Sequence, residues 1–187
     1  MAQATPAAAR PHTVLVLVPL LAGCAVALAL AAYARVHDPT GQATSTLGFS
    51  SMIGMKVWLA TVAAAFGVFQ LGSALRLFEV VGSGPAPRWV TLAHRTSGVL
   101  AVLVSAPVAF HCLWALGFST FDGRTLTHSL LGCAFYGAFV AKMLSLKIRG
   151  LPSMTVPLLG GLTFATLAGL WLTSSLWYFR TVGVPPL

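Results

Sequence analysis

The chain has 187 residues, 57% of them hydrophobic and only 7% charged. A water-soluble domain carries about 25% charged residues, so this composition excludes a soluble globular fold and calls for a lipid-facing surface. The net charge of +8 does not mark a nucleic-acid binder, because the basic residues stand singly between apolar runs and form no cluster or stripe.

Residues 1–11 are Ala-rich, with one Arg, and read as a disordered cytoplasmic tail. The remainder, 12–187, reads as a single all-α membrane domain of five transmembrane helices, about 12–35, 52–78, 89–118, 123–146 and 153–179. Each uncharged run approaches the roughly 20 residues that cross ~30 Å of hydrocarbon. Leu21 to Cys24 reads LAGC, like a lipoprotein processing box, but apolar sequence continues to Tyr33 and argues for an uncleaved first helix. Ala34 to Ser51 is a polar stretch able to cap the outer face, with His37 and Asp38 expected in solvent. Gly and Pro in VGSGPAPR, 81–88, separate the second helix from the third.

An N-in, C-out orientation follows from the basic residues. Arg10, Arg76, Arg88, Arg95, Lys142, Lys147 and Arg149 fall at inner ends, against Arg35, Lys56, Arg124 and Arg180 at outer ends. The expected location is the plasma (inner) membrane of a bacterial cell, crossed several times.

The third helix contains Pro107, one turn before His111, where the missing N–H should kink the chain. Asp122 offers an N-cap for the fourth helix and sets His128 nearly two turns inside it. Both imidazoles then lie roughly 8–10 Å below the same surface, at 1.5 Å rise per residue. A polar ring in hydrocarbon costs free energy unless something ligates or hydrogen-bonds it, so two at matched depth suggest the axial ligands of one haem b. The bland alternative is a metal-free pair bonded to each other or to backbone. Gly132, one turn beyond His128, leaves room for a flat macrocycle, and Arg124 and Lys56 are candidate partners for its propionates.

His94 also begins an H-x-x-x-G pattern, HRTSG at 94–98. It lies 17 residues before His111, which leaves the two side chains about 100° apart around an ideal helix. The inner end of the fourth helix carries Lys142 and Met143 rather than a second histidine. One haem is therefore expected, a second is not, and His94 with Arg95 reads as an interfacial pair bonding helix ends or lipid. Cys112 adjoins His111 and should point about 100° away from it, which weakens a mixed Cys/His metal site. Gly161, Ala165 and Gly169 form a small-residue stripe on the fifth helix, read as a packing surface. Three scattered acids assemble no hydrolytic site.

HRTSG followed by His111 resembles the HRxxG-then-His helix of ferric reductase-like haem domains. LTHSLLG, 126–132, resembles the LHSWLG helix of the cytochrome b561 family. MKVWLA, HSLLGCAFYGAFVAK and GLWLTSSLWYF are more closely similar to an uncharacterised, largely actinobacterial five-helix membrane family. The resemblance spans about Met55 to Phe179 and implies a b-type haem bundle without an established activity. The expectation is a membrane electron-transfer protein with bis-histidine haem near the outer face, an electron carrier or redox subunit rather than a stand-alone enzyme. Its expected partners are lipid, quinol and an outer-face redox protein or a larger respiratory complex. The alternative is a cofactor-free accessory or assembly subunit of such a complex.

Overall fold

A computed structural model describes residues 12–187; the tail 1–11, Arg10 included, lies outside the described residues. Among these the chain is all-helical. α1 spans His12–Val36, α2 Met52–Leu77, α3 Arg88–Leu116, α4 Gly123–Ser145 and α5 Thr155–Thr181. Two of these helices widen locally into a π-turn, α3 over Cys112–Leu116 and α5 over Leu172–Leu176.

The ends follow local chemistry. Ser51 caps α2 by accepting the Gly54 N–H at 3.0 Å. Asp122 caps α4 by accepting the Thr125 N–H at 2.7 Å, while the Thr125 hydroxyl receives the Asp122 N–H at 3.1 Å, a reciprocal capping box. That bond from the Thr125 backbone holds the exposed Asp122 carboxyl below the ordinary carboxylate range. α3 stops at Leu116 rather than near 118 because Gly117 turns into the left-handed region at φ +68°. There a Cβ would stand 2.8 Å from the Pro39 ring. α5 begins at Thr155, two residues later than expected, after a turn at Pro152.

Four helices, α1, α2, α3 and α5, are long and apolar enough to cross a membrane. α4 has the length but is diluted by Thr125, Thr127, His128, Ser129, Tyr136 and Lys142. Large apolar side chains face outward on these helices, among them Leu28, Val68, Leu103 and Leu158, each more than 60% exposed. So much apolar surface suits hydrocarbon rather than water.

Packing runs α3 on α2, α2 on α5, α5 on α4 and α4 on α1, with α1 returning to the π-turn of α3. α3 and α4, consecutive in sequence, pack only sparsely against each other, with Ser105 and Tyr136 bonded across at 2.9 Å. The closest seam joins α1 to α4. A Cβ on Gly23 would lie 2.5 Å from the Gly137 carbonyl, and one on Gly137 would lie 2.6 Å from that of Gly23. The α5 stripe divides: Gly169 backs onto Leu131 of α4, whereas a Cβ on Gly161 meets nothing within 4 Å. Ser175, fully buried, ties α5 to α2 by donating to the Val57 carbonyl at 3.0 Å.

A candidate cofactor cavity between the third and fourth helices

α3 and α4 touch through the Ser105–Tyr136 bond but pack sparsely otherwise, and a cavity of about 480 Å³ lies between them. This lies within the ~300–1,000 Å³ of small-molecule and cofactor sites. Its walls come from all five helices and are mainly apolar. Both π-turns line it, through Cys112, Leu113 and Leu116 on one side and Thr173, Ser174 and Ser175 on the other. Single π-turns recur at functional sites because the extra residue re-aims side chains that a regular helix would carry past.

Of the six residues singled out in the sequence, Lys56, Arg124, His128 and Gly132 line this cavity. Gly132 faces open space, since a Cβ there would meet only Leu170 Cδ2, at 3.8 Å. Arg124 is partly spent on structure. Its Nη1 donates to the Thr173 carbonyl at 2.8 Å, and its guanidinium lies 3.8 Å from the centre of the Trp177 ring. No carboxylate shares the lining with Lys56 and Arg124, although Asp122, outside it, lies close enough to Arg124 to feel its charge. An apolar hollow with two cations and no acid suits an amphiphile bearing anionic groups.

The hydrogen bonds fix the tautomer of each histidine. His128 Nδ1 lies 3.0 Å from Thr173 Oγ1. With the Thr173 hydroxyl turned to the Gly169 carbonyl, 2.7 Å away, Nδ1–H of His128 is the donor to Thr173, and Cys112 stands beside the same ring. His111 Nδ1 lies 2.7 Å from the Pro107 carbonyl, which can only accept. Nε2 of His111 is therefore the unprotonated nitrogen. His111 is 3% exposed, and its Nε2 is a buried side-chain atom without a hydrogen-bond partner among the described residues. An orphaned buried nitrogen is costly, and a second partner on Nδ1 is what metal-ligating histidines have.

His111 itself is not among the cavity-lining residues. Its neighbours Val108, Ala109 and Cys112 are. Cys112, expected to point about 100° away from His111, faces the cavity that His111 does not line, with Lys56 and His128 as its polar neighbours. The offset along the helix is as expected; what the sequence did not show is which of the two residues faces the cavity. Ser105 and Tyr136, bonded at 2.9 Å, and Thr173 also belong to the site and carried no signal in the sequence.

His94 stands elsewhere, at the α2–α3 interface. Its Nδ1 donates to Ser73 Oγ at 2.8 Å, while Ser73 donates to the Phe69 carbonyl at 2.7 Å. Gln70 Nε2 donates to the His94 carbonyl and to Ser97 Oγ, the latter at 2.7 Å. His94 thus joins two helices rather than lining the cavity. His37, expected in solvent, is half-buried between Tyr33 and Trp114 and donates from Nε2 to the Trp114 carbonyl at 3.2 Å. Among the described residues, no three His, Cys, Asp or Glu side chains converge to hold a bare metal ion.

Fold and site define an all-helical protein of membrane-spanning character, with an internal cavity bordered by a histidine and two cations. Within that class the chain belongs to the family described as "Family of unknown function (DUF6529)", whose model matches residues 15–186. No curated protein and no solved structure matches it. The likeness to cytochrome b561 and ferric reductase-like domains therefore rests on the short histidine motifs alone.

Proposed function

We propose that this chain is a b-type cytochrome of a bacterial plasma membrane, with five spans, N-in and C-out, exchanging electrons between quinol and a redox partner at the outer face. The observation that carries the reading is a pair of imidazoles each held at Nδ1 by a second partner. One borders the cavity at His128, and one is buried at His111, its Nε2 without a partner among the described residues.

In this reading His128 and His111 hold one haem b in the α3–α4 gap, Gly132 leaves space beside it, and Lys56 and Arg124 neutralise its propionates. A haem held by these residues would supply one-electron chemistry. The chain's own work is orientation. Thr173 and the Pro107 carbonyl fix the two rings, and the apolar walls exclude water. His128 and Ser129 make α4 polar for a span and find partners in Thr173 and Ser119, while Thr127 bonds back to its own helix at the Gly123 carbonyl. Orientation rests on the seven-to-four excess of basic residues at the inner ends.

The deciding experiment is a reduced-minus-oxidised visible spectrum of the detergent-purified protein, with a pyridine haemochrome assay for haem per chain. A b-type signal near one haem per chain is expected, lost in His128→Ala and His111→Ala and largely kept in His94→Ala. Retention in His111→Ala with loss in Cys112→Ser would move the α3 ligand to Cys112. A colourless protein after expression with added haem overturns the reading and leaves the cofactor-free accessory subunit.

A further inference from the structure

Away from the cavity, the start of α3 carries two arginines that the fold does not use. Arg88 and Arg95 are exposed, and neither makes a hydrogen bond or an ion pair among the described residues. Arg76, at the end of α2, differs: its guanidinium donates to the carbonyls of Gly84, Ser83 and Pro85 and is consumed in holding the loop. Arg88 and Arg95 instead border one hollow of about 250 Å³, with Thr91 and Leu92 between them. The Thr91 hydroxyl is also without a partner among the described residues, whereas those of Thr61, Ser73 and Ser97 bond back to the carbonyl one turn earlier. Beyond the hollow the same face is apolar. At about 100° per residue, Arg88, Leu92, Arg95, Val99 and Leu103 fall within about 80° of one another around the helix. Leu92, Val99 and Leu103 are 67, 59 and 61% exposed. On the opposite side Val90, Ser97 and Ala101 are buried, and Ser97 accepts a bond there from Gln70 of α2, the helix on which α3 mainly packs.

We propose that this face is a binding site for one anionic glycerophospholipid, with its phosphate between Arg88 and Arg95 and an acyl chain along Leu92, Val99 and Leu103. Guanidinium forks bond phosphate oxygens in pairs, and the Thr91 hydroxyl adds a further donor. Charge selects the class of lipid: a zwitterionic headgroup brings its own ammonium, whereas a net-anionic one calls for cations from the protein. The apolar strip selects the source of the phosphate. A free phosphate would use the arginines alone, while a lipid also covers the three exposed side chains that continue the same face. None of these residues lines the cavity, so the site stands apart from the haem reading.

The test is native mass spectrometry of the full-length protein released from a neutral detergent, titrated with phosphatidylglycerol or phosphatidylcholine of identical acyl chains. The wild type is expected to bind the first about tenfold more tightly than the second, and the double variant Arg88→Gln/Arg95→Gln to lose that preference while binding phosphatidylcholine as before. If the double variant does not fold, the single variants Arg88→Gln and Arg95→Gln decide, each expected to lose part of the preference. Arg149→Gln, a basic residue outside the hollow, should keep it in full. Equal affinity of the wild type for the two lipids overturns the proposal, as does an equal loss in Arg149→Gln, which would make the preference one of overall charge. Displacement of phosphatidylglycerol by inorganic phosphate at matching concentration would assign the arginines to a soluble anion and also overturn it. A colourless protein leaves this site standing, because the readout does not involve haem.

Discussion

At the residue scale, the argument turns on where single protons sit. Thr173 spends its hydroxyl proton on Gly169 and thereby makes His128 a donor at Nδ1. Thr173→Val keeps the shape but removes that acceptor, and haem affinity should fall about 10–100-fold, the usual effect of losing a partner behind a ligating histidine. Titration with haem and difference spectroscopy would measure it. His111→Leu separates the ligand role from a packing role. If Nε2 ligates nothing, removing a buried unsatisfied nitrogen should be neutral or stabilising; if it ligates haem, the spectrum is lost. Thermal unfolding of the variant beside its visible spectrum distinguishes the two. These residues were only half legible in the sequence. His111 and His128 stood out because ionisable rings are rare in hydrocarbon, whereas Thr173 and Cys112 look like ordinary helix residues until their neighbours are known.

At the element scale, close backbone approach and caps decide the outcome. Gly137→Ala would drive a Cβ into the Gly23 carbonyl, and the α1–α4 seam must open by roughly an ångström. Overpacking of this kind costs about 1–3 kcal/mol. Gly161→Ala meets nothing and should be silent, so detergent unfolding of the pair tests the packing directly. Ser175→Ala removes an α5–α2 bond and should cost about 0.6 kcal/mol, the mean for interhelical bonds in membranes. The α4 cap has a pH signature. Because Asp122 is held below the ordinary carboxylate range, its contribution is complete above the unfolded value of about 3.9 and is lost as pH falls through the lower folded value. Wild type minus Asp122→Asn, compared across acid pH, should show this loss, a small one because the carboxylate is exposed. The cap was legible as Asp followed by Thr three residues on, and the Gly23–Gly137 seam was not. Small residues lie along every helix, and only the fold selects which pair touches.

For the molecule as a whole, the question is which helices cross and which way. The basic-residue asymmetry predicts that a C-terminal alkaline phosphatase fusion is active and a C-terminal fluorescent protein fusion is dark. The reverse result would invert the orientation and move the His111–His128 end to the cytoplasmic side. Four helices carry their spanning character in composition. α4 carries it, in the proposed function, only by virtue of what surrounds it, with α1 on one flank and α5 on the other. The gap between α3 and α4 is the largest feature that sequence reading overlooked. The connection is short, residues 117–122, yet the helices it joins face each other across a cavity that α1, α2 and α5 also line.

The sequence by itself determined the helical class, the apolar surface, the capped starts of α2 and α4 and the two histidines worth attention. These follow from composition, periodicity and local hydrogen-bonding chemistry, which act within a few residues along the chain. Only the tertiary structure decided that α3 and α4 face each other across a cavity, that Cys112 rather than His111 lines it, and that His37 is held between Tyr33 and Trp114. Each depends on contacts between residues distant in sequence and on two π-turns, whose extra residue shifts every following side chain around the helix without any mark in the order of amino acids.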